Sequence, residues 1–212
     1  MGAMVAEGGA RRNWRAHGLA REHVYLAPRS VAPLFRLCMA PMLTAILLAH
    51  DAPARPLRRD AVARSLASLV EACVQGLIAD AVLVGAPGRG LERVADEAGC
   101  ALIEASDQKE GLAQALAVAR QDDALLLLAG YAVERGFVDE VNDAFAYGES
   151  GRALVLRAAP SSVVTRFVPS LAEPVGLIAR KSALRGAGGA ELKTLAKRLR
   201  SADLKSGARR TF

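Results

Sequence analysis

The sequence predicts an α/β fold, a three-layer α/β/α sandwich with a mostly parallel sheet. Two observations lead to this prediction. Continuous apolar runs of strand length recur along the chain, and such runs are typical of strands that are covered on both faces. Between them lie segments whose apolar residues repeat at helical spacing. Because parallel strands need long right-handed crossovers, which helices supply, the alternation favours a doubly wound sheet.

The elements are predicted in order along the chain. The first apolar run, 42–49, is followed by a helix of about twenty residues that begins near Arg58. The next strand, 81–84, ends at a glycine-rich turn, and a short helix then stops at Gly99. The remaining predicted strands cover residues 100–105, 124–129, 153–157 and 175–179. The remaining predicted helices cover residues 111–120, 135–146 and 191–200.

Composition indicates one globular core with basic ends. The chain has 212 residues, 52% hydrophobic and 24% charged, which suits one buried core and excludes wholesale disorder. The net charge of +6 is uneven, because residues 1–41 hold six arginines and two acids, and residues 180–212 hold ten basic residues and two acids. Basic ends can attract nucleic acid or an anionic membrane, but an aromatic content of 4% disfavours nucleic acid as a partner.

Three segments are predicted from these patterns. Residues 1–41 form an irregular basic N-terminal extension, residues 42–204 an α/β domain, and residues 205–212 a basic C-terminal tail. An apolar run that begins near Leu37 could mimic a secretory signal, but Pro41 interrupts it and it continues into the first strand. No run reaches the roughly 18 apolar residues that a membrane span requires.

The pattern of cysteines indicates the cellular compartment of the protein. Cys38, Cys73 and Cys100 have no metal-binding spacing, and the pattern places Cys73 on the apolar face of a helix. We therefore expect buried thiols in a reducing compartment and a cytoplasmic protein. The basic C-terminal end is also compatible with contact to the inner face of a membrane.

Several stretches of local sequence resemble one known family. The stretches are RSLASLV (64–70), AVLV (81–84), ADEAGC (95–100), DDALLLL (122–128), PVGLI (174–178) and residues 191–204. Together they make residues 42–204 similar to a short form of the family 2 glycosyltransferases, which have the GT-A nucleotide-diphospho-sugar transferase fold. The resemblance implies a GT-A-type α/β domain that takes a sugar from a nucleotide-diphospho-sugar donor and transfers it to an acceptor.

The resemblance also implies a donor site at three strand ends. His50 and Asp51 match the region that contacts the nucleotide base. The turn after the second strand, acidic and serine-bearing in the family, reads Gly85-Ala86-Pro87 here. The turn after the fourth strand, where the family has Asp-x-Asp, reads Ala129-Gly130-Tyr131. The predicted substrate-binding residues are therefore His50, Asp51, Gly85, Ala86, Gly130 and Tyr131.

The active-site motifs of the family are thus degenerate in this chain. A hard cation such as manganese or magnesium needs oxygen ligands, and the Asp-x-Asp position offers only the phenol of Tyr131. We therefore predict no metal ligand or cofactor, and no catalytic residue is assigned. Carboxylates that could activate an acceptor hydroxyl are Asp139, Glu140, Asp143 and Glu149, and the solvated face of one helix explains them equally well.

Alternatives remain open for the site and for the function. Asp51 either contacts a base or ribose or caps its own turn. Gly85, Gly88 and Gly90 with Arg89 form either a phosphate cradle or a plain strand-to-helix turn, whose spacing matches neither common glycine fingerprint. The chain is either a glycosyltransferase, with a lipid-linked acceptor as one option, or an inactive member of the fold that serves as a binding module.

Overall fold

The structure is a computed structural model that describes residues 42–50, 57–147, 152–160, 167, 171–189 and 191–211. Its strands are β1 (Leu43–Ala49), β2 (Ile78–Gly85), β3 (Ala101–Glu104), β4 (Asp123–Leu128), β5 (Tyr131–Val133), β6 (Leu154–Ala158), β7 (Pro174–Arg180) and β8 (Ala202–Arg210). Its helices are α1 (Arg59–Ala67), α2 (Val70–Val74), α3 (Glu92–Ala98), α4 (Gln108–Val118), α5 (Phe137–Ala146), α6 (Lys181–Ala187) and α7 (Leu192–Arg198).

The eight strands form one mixed sheet in the order β3-β2-β1-β4-β7-β6-β8-β5. Strands β3, β2, β1 and β4 are mutually parallel. Strand β7 runs antiparallel to both β4 and β6, β8 is parallel to β6, and β5 is antiparallel to β8. The predicted mostly parallel sheet is therefore wrong for the second half, because an apolar run indicates a buried strand but says nothing about its direction.

Helices cover both faces of the sheet, as predicted. One core cluster packs α1, α3 and α5 on the sheet through the buried residues Val62, Leu66, Val94, Val138 and Val141. The other packs α4, α6 and α7 on the opposite face through Leu112, Leu116, Leu184, Leu192 and Leu195. Strands β1 and β4 contribute to both clusters because their successive side chains alternate between the faces.

The long first helix of the prediction is divided into α1 and α2. Ser68 breaks it, because its hydroxyl donates to the Ser65 carbonyl oxygen at 2.7 Å and accepts from the Val133 amide at 3.1 Å. After this break Ala72 is buried and Cys73 is exposed. The expectation of a buried Cys73 was therefore wrong, whereas Cys100 is half-buried and burial raises the pKa of its thiol.

Three elements, β5, α6 and β8, were not predicted. Residues 205–210, which we expected to be a basic tail, lie within β8, and of this strand only Leu204 and Ala208 are buried. Two buried apolar residues among polar and charged ones form only a weak alternating pattern, so the sequence gives little indication of this strand. No helix in the described part of the chain is long and apolar enough to cross a membrane.

Candidate functional site

A cleft of about 1780 Å³ opens where β1 and β4 end. Leu48 and Leu128, at the carboxyl ends of these parallel strands, form part of its floor. Helix α1 and its preceding residues line one side, and α7 lines another, while Arg210 of β8 also reaches the cleft. Open α/β sheets take ligands at this edge, so the cleft is the candidate functional site.

The cleft is strongly basic. Seven cationic residues line it, namely Arg58, Arg64, Arg157, Lys193, Lys197, Arg200 and Arg210. The described residues contribute three carboxylates to the same lining, those of Asp60, Glu173 and Glu191. Three of the cations are already partly neutralised, since Asp60 lies 3.2 Å from Arg58 and 3.7 Å from Arg64, and Asp203 lies 2.9 Å from Arg157. The remaining excess of positive charge favours an anionic ligand.

A cation lies at the end of β4, where the resemblance implies carboxylates. The Nε of Arg210 donates to the Tyr131 hydroxyl at 3.2 Å, and its guanidinium carbon lies 5.8 Å from the centre of the tyrosine ring. Both residues line the cleft. Contact with the ring orients the guanidinium, and its planar array of donors suits phosphate oxygens.

The turn between β4 and β5 is held by buried hydrogen bonds. Gly130 has φ of +89°, a conformation that glycine adopts without strain. Its amide donates to the Ser65 hydroxyl at 2.9 Å, and its carbonyl oxygen accepts from the Thr211 amide at 3.0 Å. Arg64 donates to the Thr211 carbonyl oxygen at 2.6 Å. These contacts fix α1, the turn and the residue after β8 together, which positions Tyr131 beside Arg210.

Half of the predicted site residues line the cleft. His50, Gly130 and Tyr131 do so, whereas Gly85 and Ala86 are not among the lining residues and Asp51 lies outside the described part of the chain. The Nε2 of His50 donates to the Ala105 carbonyl oxygen at 3.0 Å, which leaves Nδ1 as the unprotonated nitrogen when the ring is neutral. This Nδ1 is buried and has no hydrogen-bond partner among the described residues.

The glycine-rich turn after β2 has a packing role. A Cβ on Gly85 would lie 2.3 Å from Cδ1 of Leu91, so a larger residue here would require the Leu91 side chain to move. The Gly88 amide donates to the Glu104 carboxylate at 3.2 Å. The Glu104 carboxylate already accepts from this amide, and its negative charge would repel a phosphate group at the same place. These contacts therefore favour the plain strand-to-helix turn over the phosphate cradle.

The predicted candidate bases do not meet at the cleft. Asp139 and Asp143 are exposed and neither lines the cleft, and Glu149 lies outside the described residues. Glu140 instead fixes β8, because its two oxygens accept from the Lys205 amide at 2.5 Å and the Ser206 amide at 2.8 Å. Burial disfavours its charged form, but these hydrogen bonds outweigh burial and lower the pKa of Glu140.

The described residues do not fit the divalent cation of the Asp-x-Asp motif. Ala129 and Gly130 bring no side-chain oxygen to the end of β4, and the Tyr131 hydroxyl accepts from Arg210. No group of three or more His, Cys, Asp or Glu residues with ligand geometry occurs in residues 42–50, 57–147, 152–160, 167, 171–189 and 191–211. The charged groups in excess in the cleft lining are therefore the guanidinium and ammonium groups of arginine and lysine.

Sequence analysis did not predict the cationic residues of the cleft as part of the site. Lys193, Lys197 and Arg200 recur at i, i+4 and i+7, the spacing that places side chains on one face of a helix. This pattern was the available signal, but we interpreted it as a solvent or membrane face. The approach of Arg210 to Tyr131 had no local signal, because it depends on the pairing of β5 with β8.

The fold is of the GT-A type found in nucleotide-sugar transferases, as solved structures show. Glucosyl-3-phosphoglycerate synthase from Mycobacterium tuberculosis, in complex with phosphoglyceric acid, has a TM-score of 0.60 at 15% identity, over 86% of this chain and 76% of that chain. The same enzyme with Mn²⁺, uridine diphosphate and glucosyl-3-phosphoglycerate has a TM-score of 0.58 at 15% identity, over 94% and 79% of the two chains.

A second enzyme of the class is also similar. A mannosyltransferase from Pyrobaculum calidifontis, in complex with GDP-Man and Mn²⁺, has a TM-score of 0.57 at 14% identity, over 82% of this chain and 57% of that chain. No protein-family model and no curated protein matches the chain. At these identities the likeness shows the fold, and the residues of the cleft must carry the functional argument.

Proposed function

We propose that this protein is a glycosyltransferase of the family 2 type that binds a nucleotide-diphospho-sugar in the cleft and transfers its sugar to an acceptor. The observation that carries the proposal is the position of a basic cleft at the ends of β1 and β4. Support comes from solved enzymes of the same fold, which hold uridine diphosphate or GDP-Man. The family assignment, the donor and the transfer reaction are all parts of this proposal.

Guanidinium groups neutralise the diphosphate in the proposed mechanism. Arg58, Arg64 and Arg210 lie on the α1 and β8 side of the cleft, near the end of β4. As the bond between the sugar and the diphosphate breaks, negative charge develops on the leaving phosphate oxygen. Preorganised cations stabilise that charge in the transition state. No step is assigned to a divalent cation, because the described residues do not form its site.

A carboxylate in the cleft can accept the proton of the attacking hydroxyl. Asp60 is paired with arginines and the Glu191 carboxylate accepts from the Thr194 hydroxyl at 2.8 Å. Glu173 also lines the cleft, next to the first residue of β7, and its carboxylate has no hydrogen bond from a described residue. We therefore assign the role of general base to Glu173, in place of the four acids on and after α5.

The second candidate function is a binding module that has lost catalysis. The specific observation in its favour is the degenerate end of β4, where Ala129-Gly130-Tyr131 supplies no carboxylate. Such a protein would keep the donor cleft and its cations without turning the donor over. Donor binding is common to both functions, so consumption of the bound donor, by an acceptor or by water, separates them.

Calorimetric titration of the full chain with UDP-, GDP-, ADP- and dTDP-sugars tests the proposal, with chelator and with Mn²⁺ in parallel. We expect one nucleotide class to bind, with an affinity that Mn²⁺ leaves unchanged and that falls as salt rises. We expect Arg210→Gln to weaken binding about tenfold, the effect of losing one charge-assisted hydrogen bond.

Arg209→Gln is the matched control. Arg209 is the neighbouring arginine on β8, it pairs with Glu134 at 3.2 Å, and it does not line the cleft. Equal losses in the two variants would indicate a net-charge effect and contradict the assigned site. If no nucleotide-sugar binds, the proposed function is wrong. If a donor binds but no acceptor or water ever consumes it, the binding module is the better description.

A further inference from the structure

Six of the seven cations of the cleft fall into two groups on different elements, and the seventh, Arg157, is paired with Asp203 at 2.9 Å. Arg58 and Arg64 belong to the α1 side, and Arg210 joins them through Tyr131 at the end of β4. Lys193, Lys197 and Arg200 belong to α7 and the residues that follow it. A single nucleoside diphosphate needs only one of these groups, so the second group requires its own explanation.

We propose that the α7 group binds the phosphate of a phosphorylated acceptor. The inference rests on the proposed function, because it assigns the second substrate of the same cleft. Lys193 and Lys197 lie on one face of α7 and Arg200 follows the helix, and the apolar residues Leu192 and Ala196 lie beside these cations in the cleft lining. A phosphate monoester on a small alcohol fits this combination of charge and apolar surface.

Helix stability does not account for these charges. Lysine near the end of a helix stabilises it, which covers Lys197, but Lys193 lies in the first turn of α7, where the helix dipole disfavours a cation. Among the described residues, none of the three cations has an ion-pair partner, and Glu191 instead accepts from Thr194. Their charge is therefore available to a ligand.

The backbone at Arg200 supports the same conclusion. Arg200 has φ of +47° and is the only non-glycine residue with positive φ in the described part of the chain. This left-handed conformation is strained for arginine and free of strain for glycine. Strain retained at a ligand-facing cation is typical of a functional position.

Two probes and two variants test the inference in the full chain. The first probe is glycerol 3-phosphate, with glycerol as its neutral control, and the second is UDP or the nucleotide found by the donor titration. We expect Arg200→Gly to weaken glycerol 3-phosphate binding about tenfold and leave nucleotide binding unchanged. We expect Arg210→Gln to do the reverse. Arg120→Gln, an exposed change between α4 and β4 at a residue that does not line the cleft, controls for net charge.

A lipid arm distinguishes the source of the phosphate. Phosphatidylcholine vesicles with and without phosphatidic acid are tested for co-sedimentation with the wild type and with Arg200→Gly. Binding in either arm that the substitution weakens about tenfold supports the inference, and the arm that responds identifies a soluble or a lipid-linked phosphate.

Several outcomes overturn the inference. These are no phosphate binding in either arm, phosphate binding that Arg200→Gly leaves as tight as in the wild type, or equal loss in Arg200→Gly and Arg210→Gln, which would place the phosphate in the donor site. Failure of the proposed function is a separate result, the absence of nucleotide binding. Misfolding is a poor explanation for a loss in Arg200→Gly, because glycine suits this backbone and its melting temperature is expected to match or exceed that of the wild type.

Discussion

The parallel half of the sheet (β3, β2, β1 and β4) is easier to predict from the sequence than the half that follows it (β7, β6, β8 and β5). Strands β1, β2 and β4 are continuous apolar runs with fully buried residues such as Leu47, Leu83 and Leu125. Strand β8 has four charged residues among its nine and is held by two buried apolar residues and by hydrogen bonds to Glu140. Hydrophobic burial therefore stabilises the strands that form the floor of the cleft, whereas polar contacts position the cationic side chains that line it.

Two leucine truncations in the same core cluster measure this difference most directly. Leu125 in β4 is fully buried and Leu204 in β8 is 8% exposed. We expect Leu125→Ala to lower the free energy of unfolding by about 3–5 kcal/mol, and Leu204→Ala by about 2 kcal/mol, because the edge region can relax around the cavity. Urea unfolding of both variants gives the two values. Equal losses would remove the energetic contrast between the halves.

Ser65→Ala tests the connection between the halves. The substitution removes the acceptor for the buried Gly130 amide, and leaving that amide unpaired is expected to cost about 1–3 kcal/mol. Ser182→Ala, an exposed serine of α6, is the control and should change stability by less than about 0.5 kcal/mol. Chemical denaturation measures both. An unchanged Ser65→Ala protein would mean that the turn does not depend on α1.

Glu140 makes the second half sensitive to acid. Its hydrogen bonds hold the folded pKa below the ordinary value of 4.5, so its stabilisation is fully present above pH 4.5 and is lost as the pH falls through the folded pKa. Glu140→Gln keeps only one of the two acceptors, and we expect a loss of about 1 kcal/mol at neutral pH. The difference from the wild type should shrink below pH 4.5.

Asp143→Asn, an exposed change on the same helix, is the control for Glu140→Gln. It should leave both the stability and its pH dependence close to those of the wild type. A Glu140→Gln difference that stays constant down to acidic pH would show that the carboxylate charge is not the stabilising feature.

The smallest expected effect is an increase in stability. Arg200→Gly relieves the left-handed backbone at the end of α7, and we expect unfolding to become harder by about 0.5–1 kcal/mol. Thermal unfolding measures this change. A loss of stability would mean that the Arg200 side chain contributes packing that outweighs its backbone strain.

The resemblance and the site were predictable to different degrees. Local stretches such as DDALLLL indicated a GT-A-type fold, and the solved structures agree with the fold, while the family assignment, the cytoplasmic location and a lipid-linked acceptor stay predictions. His50, Gly130 and Tyr131 were predicted because the resemblance matches them to strand ends that contact the donor. Gly85 was selected for the same reason, but it packs under Leu91 and is not among the lining residues of the cleft.

The sequence by itself determined the alternation of strands and helices, the cover on both sheet faces and the absence of carboxylates after β4. These are local properties, because periodicity and residue identity are visible within a short window. Only the tertiary structure decided the strand directions of the second half and the approach of Arg210 to Tyr131. A local pattern was available for the cations on and after α7, but cations that are distant in sequence meet only when the sheet brings their elements together, so the sequence alone could not place them in one cleft.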